Sequence, residues 1–278
     1  MLDFEFGRIH ARDFGLMVCT IDGSSGVETT SIGAEINFNM VSAMHGGIQY
    51  ITDTTYDNVL ETTFNVCKFD CKKGHENLTV EEVRIITRWL QRDEFCLFKP
   101  ISDDSEYDNI YYEGSFDTVK KVELEGKIIG LELHFTTNRP FALEGKRMIK
   151  ITADSADYEF EFTDSSDKIG YIYPTLLTVT IPDEIETETV DVAITNSVEN
   201  RKTVIKNCSA GEIITFYDIL DISSSLNTDT VVHQVQNDFN YTFFRIANTY
   251  KNKTNKITIS TPCEVYFEYY PIVKGVGF

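Results

Sequence analysis

Alternation of apolar and polar residues is the strongest pattern in the chain, and it predicts β-strands. Within Gly130–Thr136, Leu131, Leu133 and Phe135 alternate with polar residues. Successive side chains of a strand point to opposite faces of a sheet, so a period of two indicates a strand with one buried face. Glu125-Gly126 stands just before this run and predicts a hairpin turn.

A second alternating run, Gly33–Val41, places Ile36, Phe38 and Met40 on one face of another predicted strand. Val59–Phe69 has the composition of a further strand. The segment between these two strands holds glycines and few large apolar residues. It is predicted as a loop of about 16 residues, a length that is unusual in a compact domain and often functional.

One helix is predicted in the first half of the chain. Thr79 and Glu82 fit the capping box, in which an N-cap hydroxyl and the side chain three residues later satisfy each other's backbone N–H groups. Apolar residues then recur at helical spacing. The pattern predicts a helix over Val80–Leu90, packed on a sheet domain.

From about Lys146 the chain is almost wholly strand-like, with short runs spaced as in a β-sandwich. Pro140 cannot extend a central strand, so the boundary is placed in Asn138–Ala142. The predicted fold class is therefore mainly β, with a sandwich-like N-terminal domain carrying one helix (residues 1–142) and a C-terminal β-sandwich (residues 146–278). The predicted C-terminal strands are Arg147–Thr152, Tyr158–Thr163, Leu176–Ile181, Thr189–Thr195, Thr203–Asn207, Ile213–Asp218, Tyr241–Ala247, Lys256–Ser260 and Glu264–Tyr270.

The charge of the chain argues against several classes of partner. Of its 278 residues 25 are basic and 44 acidic, which gives a net charge of −19. Such a chain repels the phosphates of nucleic acids and anionic lipids. No apolar run approaches the length of a membrane-spanning helix, and acids stand where a signal peptide carries basic residues. We expect a protein that is made in the cytoplasm and binds no membrane.

Candidate chemistry is sparse. Cys67, Cys71 and His75 follow one another at intervals of four, but strand positions four apart lie about 13 Å apart, which favours packed thiols over a zinc site. The acidic run Asp103–Asp108 lacks the glycine and terminal glutamate of an EF-hand loop. No nucleophile elbow or phosphate-binding loop occurs. The sequence predicts no enzyme, no cofactor, no metal, and six reduced cysteines without a disulfide.

Short motifs recur in a fixed order that resembles a known family. In the first half they are Asp13-Phe14-Gly15-Leu16, Gly46-Gly47, Arg88-Trp89-Leu90, Phe98-Lys99-Pro100, Tyr111-Tyr112 and Arg139-Pro140-Phe141-Ala142. In the second half they are Gly170-Tyr171-Ile172-Tyr173-Pro174, Gly211-Glu212-Ile213-Ile214, Asn237-Asp238-Phe239 and Asn255-Lys256-Ile257-Thr258-Ile259-Ser260. Over essentially the whole chain this order is similar to that of the distal tail protein (Dit) family of siphophages.

The resemblance implies a structural role in the virion without catalysis. It implies an N-terminal domain that forms a homo-hexameric ring, a galectin-like C-terminal sandwich, and a place at the tail tip after assembly in the host cytoplasm. The implied partners are the tail tube protein, the tail-tip hub protein and a receptor-binding protein, with DNA passing through the channel without specific binding. The alternative function is a carbohydrate-binding module or adhesin that uses the sandwich.

Two site predictions accompany this resemblance. The resemblance implies an arm within Ala43–Asn58 that reaches over the neighbouring subunit, and the densest acidic stretch of the ring-forming half is predicted to line the channel. The arm residues are Ala43, His45, Gly46, Gly47, Tyr50, Tyr56 and Asn58. The channel residues are Asp103, Asp104, Glu106 and Asp108.

Overall fold

The chain is mainly β, which confirms the predicted fold class. The computed structural model describes residues 3–19, 36–42, 49–56, 59–70, 74–101, 108–218, 220–227 and 232–275. The chain divides into two units, one made of Met1–Glu144 with Val273–Phe278 and the other of Gly145–Ile272.

The N-terminal unit is built on an antiparallel sheet in the order β2-β1-β8-β9-β10-β6-β3, with β7 beside β6 and β11 beside β9. The last strand of the chain, β23 (Ile272–Val273), pairs with β11. Strands β4 and β5 form a separate two-stranded sheet. The strands of this unit are β1 (Asp3–Phe6), β2 (Ile9–His10), β3 (Leu16–Cys19), β4 (Ile36–Ser42), β5 (Gln49–Tyr56), β6 (Glu61–Asp70), β7 (Gly74–Glu76), β8 (Cys96–Ile101), β9 (Ile110–Leu124), β10 (Lys127–Thr137) and β11 (Ala142–Glu144).

Helix α1 spans Val80–Leu90, as the capping box predicts. The Glu82 N–H donates to Thr79 Oγ1 at 3.2 Å, and the Thr79 N–H donates to Glu82 Oε2 at 2.8 Å. The buried face of α1 includes Trp89, whose Nε1–H donates to the Phe6 carbonyl at 3.1 Å. This contact ties the helix to β1, the second strand of the main sheet.

Aromatic rings fill the core of the N-terminal unit. Phe135 stacks on Phe98 with ring centroids 4.5 Å apart and meets Phe116 at 5.1 Å. The predicted hairpin joins β9 to β10, and Glu125 and Gly126 adopt φ angles of 49° and 75° at its turn. This confirms both the turn and the buried face of the strand that follows it.

The C-terminal unit is a β-sandwich of a five-stranded sheet, ordered β12-β22-β15-β18-β19, and a four-stranded sheet, ordered β13-β21-β16-β17. Ile151, Val179 and Val265 of the first sheet share one core with Ile194 and Ile257 of the second. The strands are β12 (Arg147–Ala153), β13 (Tyr158–Thr163), β14 (Gly170–Ile172), β15 (Leu176–Thr180), β16 (Val190–Asn196), β17 (Arg201–Cys208), β18 (Ile213–Tyr217), β19 (Ile222–Ser224), β20 (Ile246–Asn248), β21 (Thr254–Ile259) and β22 (Cys263–Tyr269). A single helical turn, α2, spans Val235–Asp238.

One predicted strand of this unit is largely wrong. Tyr241–Ala247 is predicted as a strand, but only Ile246–Asn248 is one. The preceding Asn240 side chain accepts from the Val204 N–H at 3.1 Å and donates to the Lys202 carbonyl at 2.8 Å. This side chain takes the place of a backbone ladder against β17, so the segment after it runs irregularly.

Candidate functional site

The paired strands β4 and β5 form the most unusual surface of the N-terminal unit. Their register runs from Ile36 opposite Tyr56 to Ser42 opposite Gln49, with a bulge next to Asn39. We call these two strands, Ile36–Ser42 and Gln49–Tyr56, the ribbon. Within the part of the chain that the structure describes, each strand of the ribbon forms a backbone ladder only with the other.

The ribbon exposes a row of large apolar side chains. Ile36 is 51% exposed, Phe38 56% and Met40 58%, and the neighbouring Val41 is 56% exposed. Moving such a side chain completely from water into an apolar contact is favourable by roughly 1.5–3 kcal/mol. A contiguous exposed row of them is typical of a surface that meets another protein.

The base of the ribbon is held to its own unit by residues from distant parts of the sequence. The Tyr56 ring meets Phe141 edge to face at 5.1 Å. Lys274 Nζ donates to the Tyr56 hydroxyl at 2.8 Å and lies over the Phe141 ring at 5.9 Å. Sequence reasoning missed this cluster, because no local pattern joins residues 218 positions apart.

The structure corrects the predicted arm loop. Most of the second half of Ala43–Asn58 is strand β5 rather than an irregular loop. The segment Gln49–Tyr56 is rich in threonine and tyrosine, which favour a strand although few of its residues are apolar. Of the predicted arm residues, Tyr50 lies in β5 opposite Val41 and Tyr56 ends the strand. The others, Ala43, His45, Gly46, Gly47 and Asn58, lie outside the described residues.

The predicted channel loop is described only at one end. Asp108 is exposed in the turn before β9. Asp103, Asp104 and Glu106 lie outside the described residues. The channel assignment therefore stays a prediction.

No metal site is formed by the described residues, where no group of three or more His, Cys, Asp or Glu side chains is arranged to hold an ion. The described cysteines are free thiols. Burial raises the pKa of Cys208 and of Cys263 to about 12. Burial and a contact with Cys67 raise the pKa of Cys19 to about 12. These groups are neutral thiols, which are poor nucleophiles and poor metal ligands.

The C-terminal unit contains a largely buried cluster of one histidine and two carboxyl side chains that the sequence pattern did not indicate. His233 Nδ1 lies 2.6 Å from Glu212 Oε1, and His233 Nε2 lies 3.2 Å from Asp238 Oδ2. Glu212 is fully buried and also accepts from the Ser224 hydroxyl and the Ser209 N–H. Because carboxylates contact both ring nitrogens of His233, this cluster holds Glu212, just before β18, close to the end of α2, at Asp238.

The exposed aromatics that would suit a sugar are scattered over the C-terminal unit. Tyr241 and Tyr250 are 68% and 86% exposed. One face of Tyr171 is covered by the Arg245 guanidinium, 3.8 Å from the ring centroid, and Arg245 is itself paired with Glu199.

Among the described residues, no helix is long and apolar enough to cross a membrane.

Comparison with solved structures identifies a similar fold. The chain matches the crystal structure of phage SPP1 Dit, described as a paradigm of the hub adsorption apparatus in phages that infect Gram-positive bacteria. The match has a TM-score of 0.59 and 10% identity, and covers 97% of this chain and 99% of that one. The phage P2 baseplate in its Ca-activated conformation matches with a TM-score of 0.48 and 9% identity, over 96% of this chain and 98% of that one. The predicted resemblance to distal tail proteins is thus confirmed in the fold.

Comparison with family models identifies the family. A search of curated proteins found no match. Residues 1–139 match the model of the phage tail protein N-terminal domain, and residues 141–269 match that of the phage tail C-terminal domain. Together the two matches cover nearly the whole chain, which therefore belongs to the phage tail protein family and is a structural component of the phage tail.

Proposed function

We propose that six copies of this tail protein form a ring at the distal end of the tail tube. The N-terminal unit makes the ring, joins the tube to the tail-tip hub, and leaves the C-terminal sandwich to hold receptor-binding components. The fold shared with SPP1 Dit over the whole chain supports this role. The ring assembles in the host cytoplasm and becomes part of the virion.

The exposed apolar row of the ribbon carries the proposal. Ile36, Phe38 and Met40 are each more than half exposed in a single copy. A ring requires a surface on each subunit that another copy covers, and cyclic symmetry satisfies every such surface at once. The ribbon is the arm that lies on the neighbouring subunit and buries this row.

The charge of the chain limits where the subunits touch. Six copies at −19 each carry about −114 charges, and like charges facing each other in a contact would weaken association by several kcal/mol per pair. The apolar ribbon avoids this problem. Acids that meet no cation of a neighbouring copy lie away from the contacts, and a net negative channel wall, including the stretch Asp103–Asp108, lets DNA slide without binding.

Paired substitutions in the full chain test the role of the ribbon. Ile36→Ser with Met40→Ser removes two exposed apolar side chains of the ribbon. Native mass spectrometry should find hexamers of the wild type and folded monomers of this variant.

A matched control uses the C-terminal unit, where Ile169 and Met148 are 60% and 66% exposed. Ile169→Ser with Met148→Ser makes the same chemical change at a similar exposure and should leave the hexamer intact. A wild type that stays monomeric at all concentrations would refute the ring. Hexamers of the ribbon variant would refute the arm.

A further inference from the structure

A basic cleft runs along the solvent side of α1 in the N-terminal unit. It has a volume of about 530 Å³ and lies between the helix and the outer part of β9. Its lining includes Arg84 and Arg88 from the helix and Lys121 from the strand. We call this the α1 cleft.

The α1 cleft is positive in a strongly negative chain. Among the described carboxylates, Arg84 pairs only with Glu81, at 3.1 Å, in an exposed i,i+3 contact that contributes little. Arg88 and Lys121 have no carboxylate within 4.0 Å among the described residues. Three cations thus face one carboxylate in a chain whose net charge is −19. The charge of the cleft is complementary to acidic surfaces of the same chain.

The α1 cleft also exposes apolar surface. Val80 is 63% exposed and Ile85 is 49% exposed, and both line the cleft beside the cations. An occupant that fits this lining carries an apolar side chain flanked by carboxylates. A nucleic acid would offer phosphates without that side chain and would be repelled by the rest of the chain.

The turn after α1 has this chemistry. Phe95 is 61% exposed, and it follows Asp93 and Glu94, both of which are exposed. The Glu94 carboxylate has two long contacts, one with Arg92 at 3.8 Å and one with the Cys96 thiol at 3.9 Å. This turn therefore presents an apolar ring flanked by two carboxylates, which is the chemistry that fits the lining of the α1 cleft.

We propose that the α1 cleft of one copy receives the Asp93–Phe95 turn of a second copy. Phe95 packs against Val80 and Ile85, while the two carboxylates pair with the cations of the cleft. The contact joins two different surfaces, which is the head-to-tail arrangement that closes a ring when the rotation between copies is right. This inference rests on the proposed ring and specifies a second contact within it, besides the ribbon.

Charge reversal in the full chain tests the contact from both sides. Arg88→Glu with Lys121→Glu should weaken self-association about tenfold or more, because carboxylates then face carboxylates. Asp93→Lys with Glu94→Lys should weaken it similarly. Combining all four substitutions restores opposite charges and should recover most of the affinity, as measured by analytical ultracentrifugation.

The control Lys202→Glu with Lys206→Glu changes the net charge equally on exposed lysines of β17 and should leave self-association unchanged. If the wild type forms a ring and both charge-reversal variants associate as tightly as it does, this contact is wrong and the proposed function still stands. Failure of the wild type to self-associate would overturn both.

The β9–β10 turn offers a competing occupant, because Leu124 is 61% exposed between Glu123 and Glu125. If Glu123→Lys with Glu125→Lys rescues the cleft variant and Asp93→Lys with Glu94→Lys does not, the assignment of the Asp93–Phe95 turn is wrong.

Discussion

Strands β4 and β10 have the same alternating pattern and opposite surroundings. Leu133 and Phe135 of β10 are fully buried, whereas Phe38 and Met40 of β4 are more than half exposed. Strand β10 lies between β9 and β6, and its apolar face joins the core with α1. Among the described strands, β4 pairs only with β5, and no element of the described chain covers its apolar row.

The comparison teaches what a period of two does and does not specify. It specifies which side chains share a face, and it does so correctly in both strands. It does not specify what covers that face, since the covering element comes from elsewhere in the chain or from another chain. An apolar face that its own chain leaves exposed therefore points to a partner, which is the basis of the proposed ring.

The largest expected effect is a difference in the free energy of unfolding between a substitution on the apolar face of β10 and one on the apolar face of β4. Leu133→Ala should lower the free energy of unfolding by about 3 kcal/mol, because it removes buried methylene contacts and leaves a cavity. Met40→Ala should change the stability of the monomer by less than about 0.5 kcal/mol, since its side chain is already largely in water. Urea denaturation of both variants, at a concentration where the protein is monomeric, measures the difference.

Equal losses of stability would break the comparison. They would mean that the ribbon is packed within its own subunit and offers no free surface to a second copy.

The second prediction concerns how closely strands β9 and β10 approach each other at Gly114. A Cβ atom on Gly114 of β9 would lie 2.2 Å from the Thr136 carbonyl oxygen of β10 and 2.7 Å from the Phe135 ring. Gly114→Ala should therefore lower the free energy of unfolding by about 2 kcal/mol, since backbone has to move to make room. Gly126→Ala is a useful contrast, because nothing lies within 4 Å of the added atom and only its φ of 75° is strained.

Thermal unfolding compares the two glycine variants. A smaller loss for Gly114→Ala than for Gly126→Ala would show that β9 and β10 tolerate separation, contrary to the tight packing of the buried face.

The contrast between local and long-range contacts explains how much the sequence could predict. Helix α1 was placed correctly because its capping box lies within four consecutive residues. The Glu125-Gly126 turn is local in the same way. Strand β5 was missed because few of its residues are apolar and no alternating pattern marks it, so that only pairing with β4 shows that it is a strand.

The candidate site depended on contacts that no local pattern encodes. Outside that site, the close approach of Gly114 to Thr136 is of the same kind, since the two residues lie on different strands. The cluster of Tyr56, Phe141 and Lys274 likewise forms only after the chain has folded back on the N-terminal unit. The α1 cleft combines residues of a helix and a strand, so its charge could not be read from either segment alone.

The smallest expected effect concerns helix α1. This helix packs on the buried face of β10, whereas no described helix covers β4. Lys68 and the Thr79 N–H hold the pKa of Glu82 down to about 2, from an ordinary value of 4.5. Because the folded-state pKa is the lower one, the ionised carboxylate stabilises the fold above about pH 4.5, and this stabilisation is lost as the pH falls towards 2.

Glu82→Gln should therefore cost about 1 kcal/mol at pH 7, a modest amount because a third of the side chain is exposed and water screens the pair. The difference between this variant and the wild type should shrink steadily between pH 4.5 and 2 in urea denaturation series. Glu81→Gln is the matched control, since its more exposed carboxylate pairs with Arg84 alone among the described residues, and it should change stability little at any pH. A loss for Glu82→Gln that stays constant down to pH 2 would show that the carboxylate acts through packing rather than through its charge.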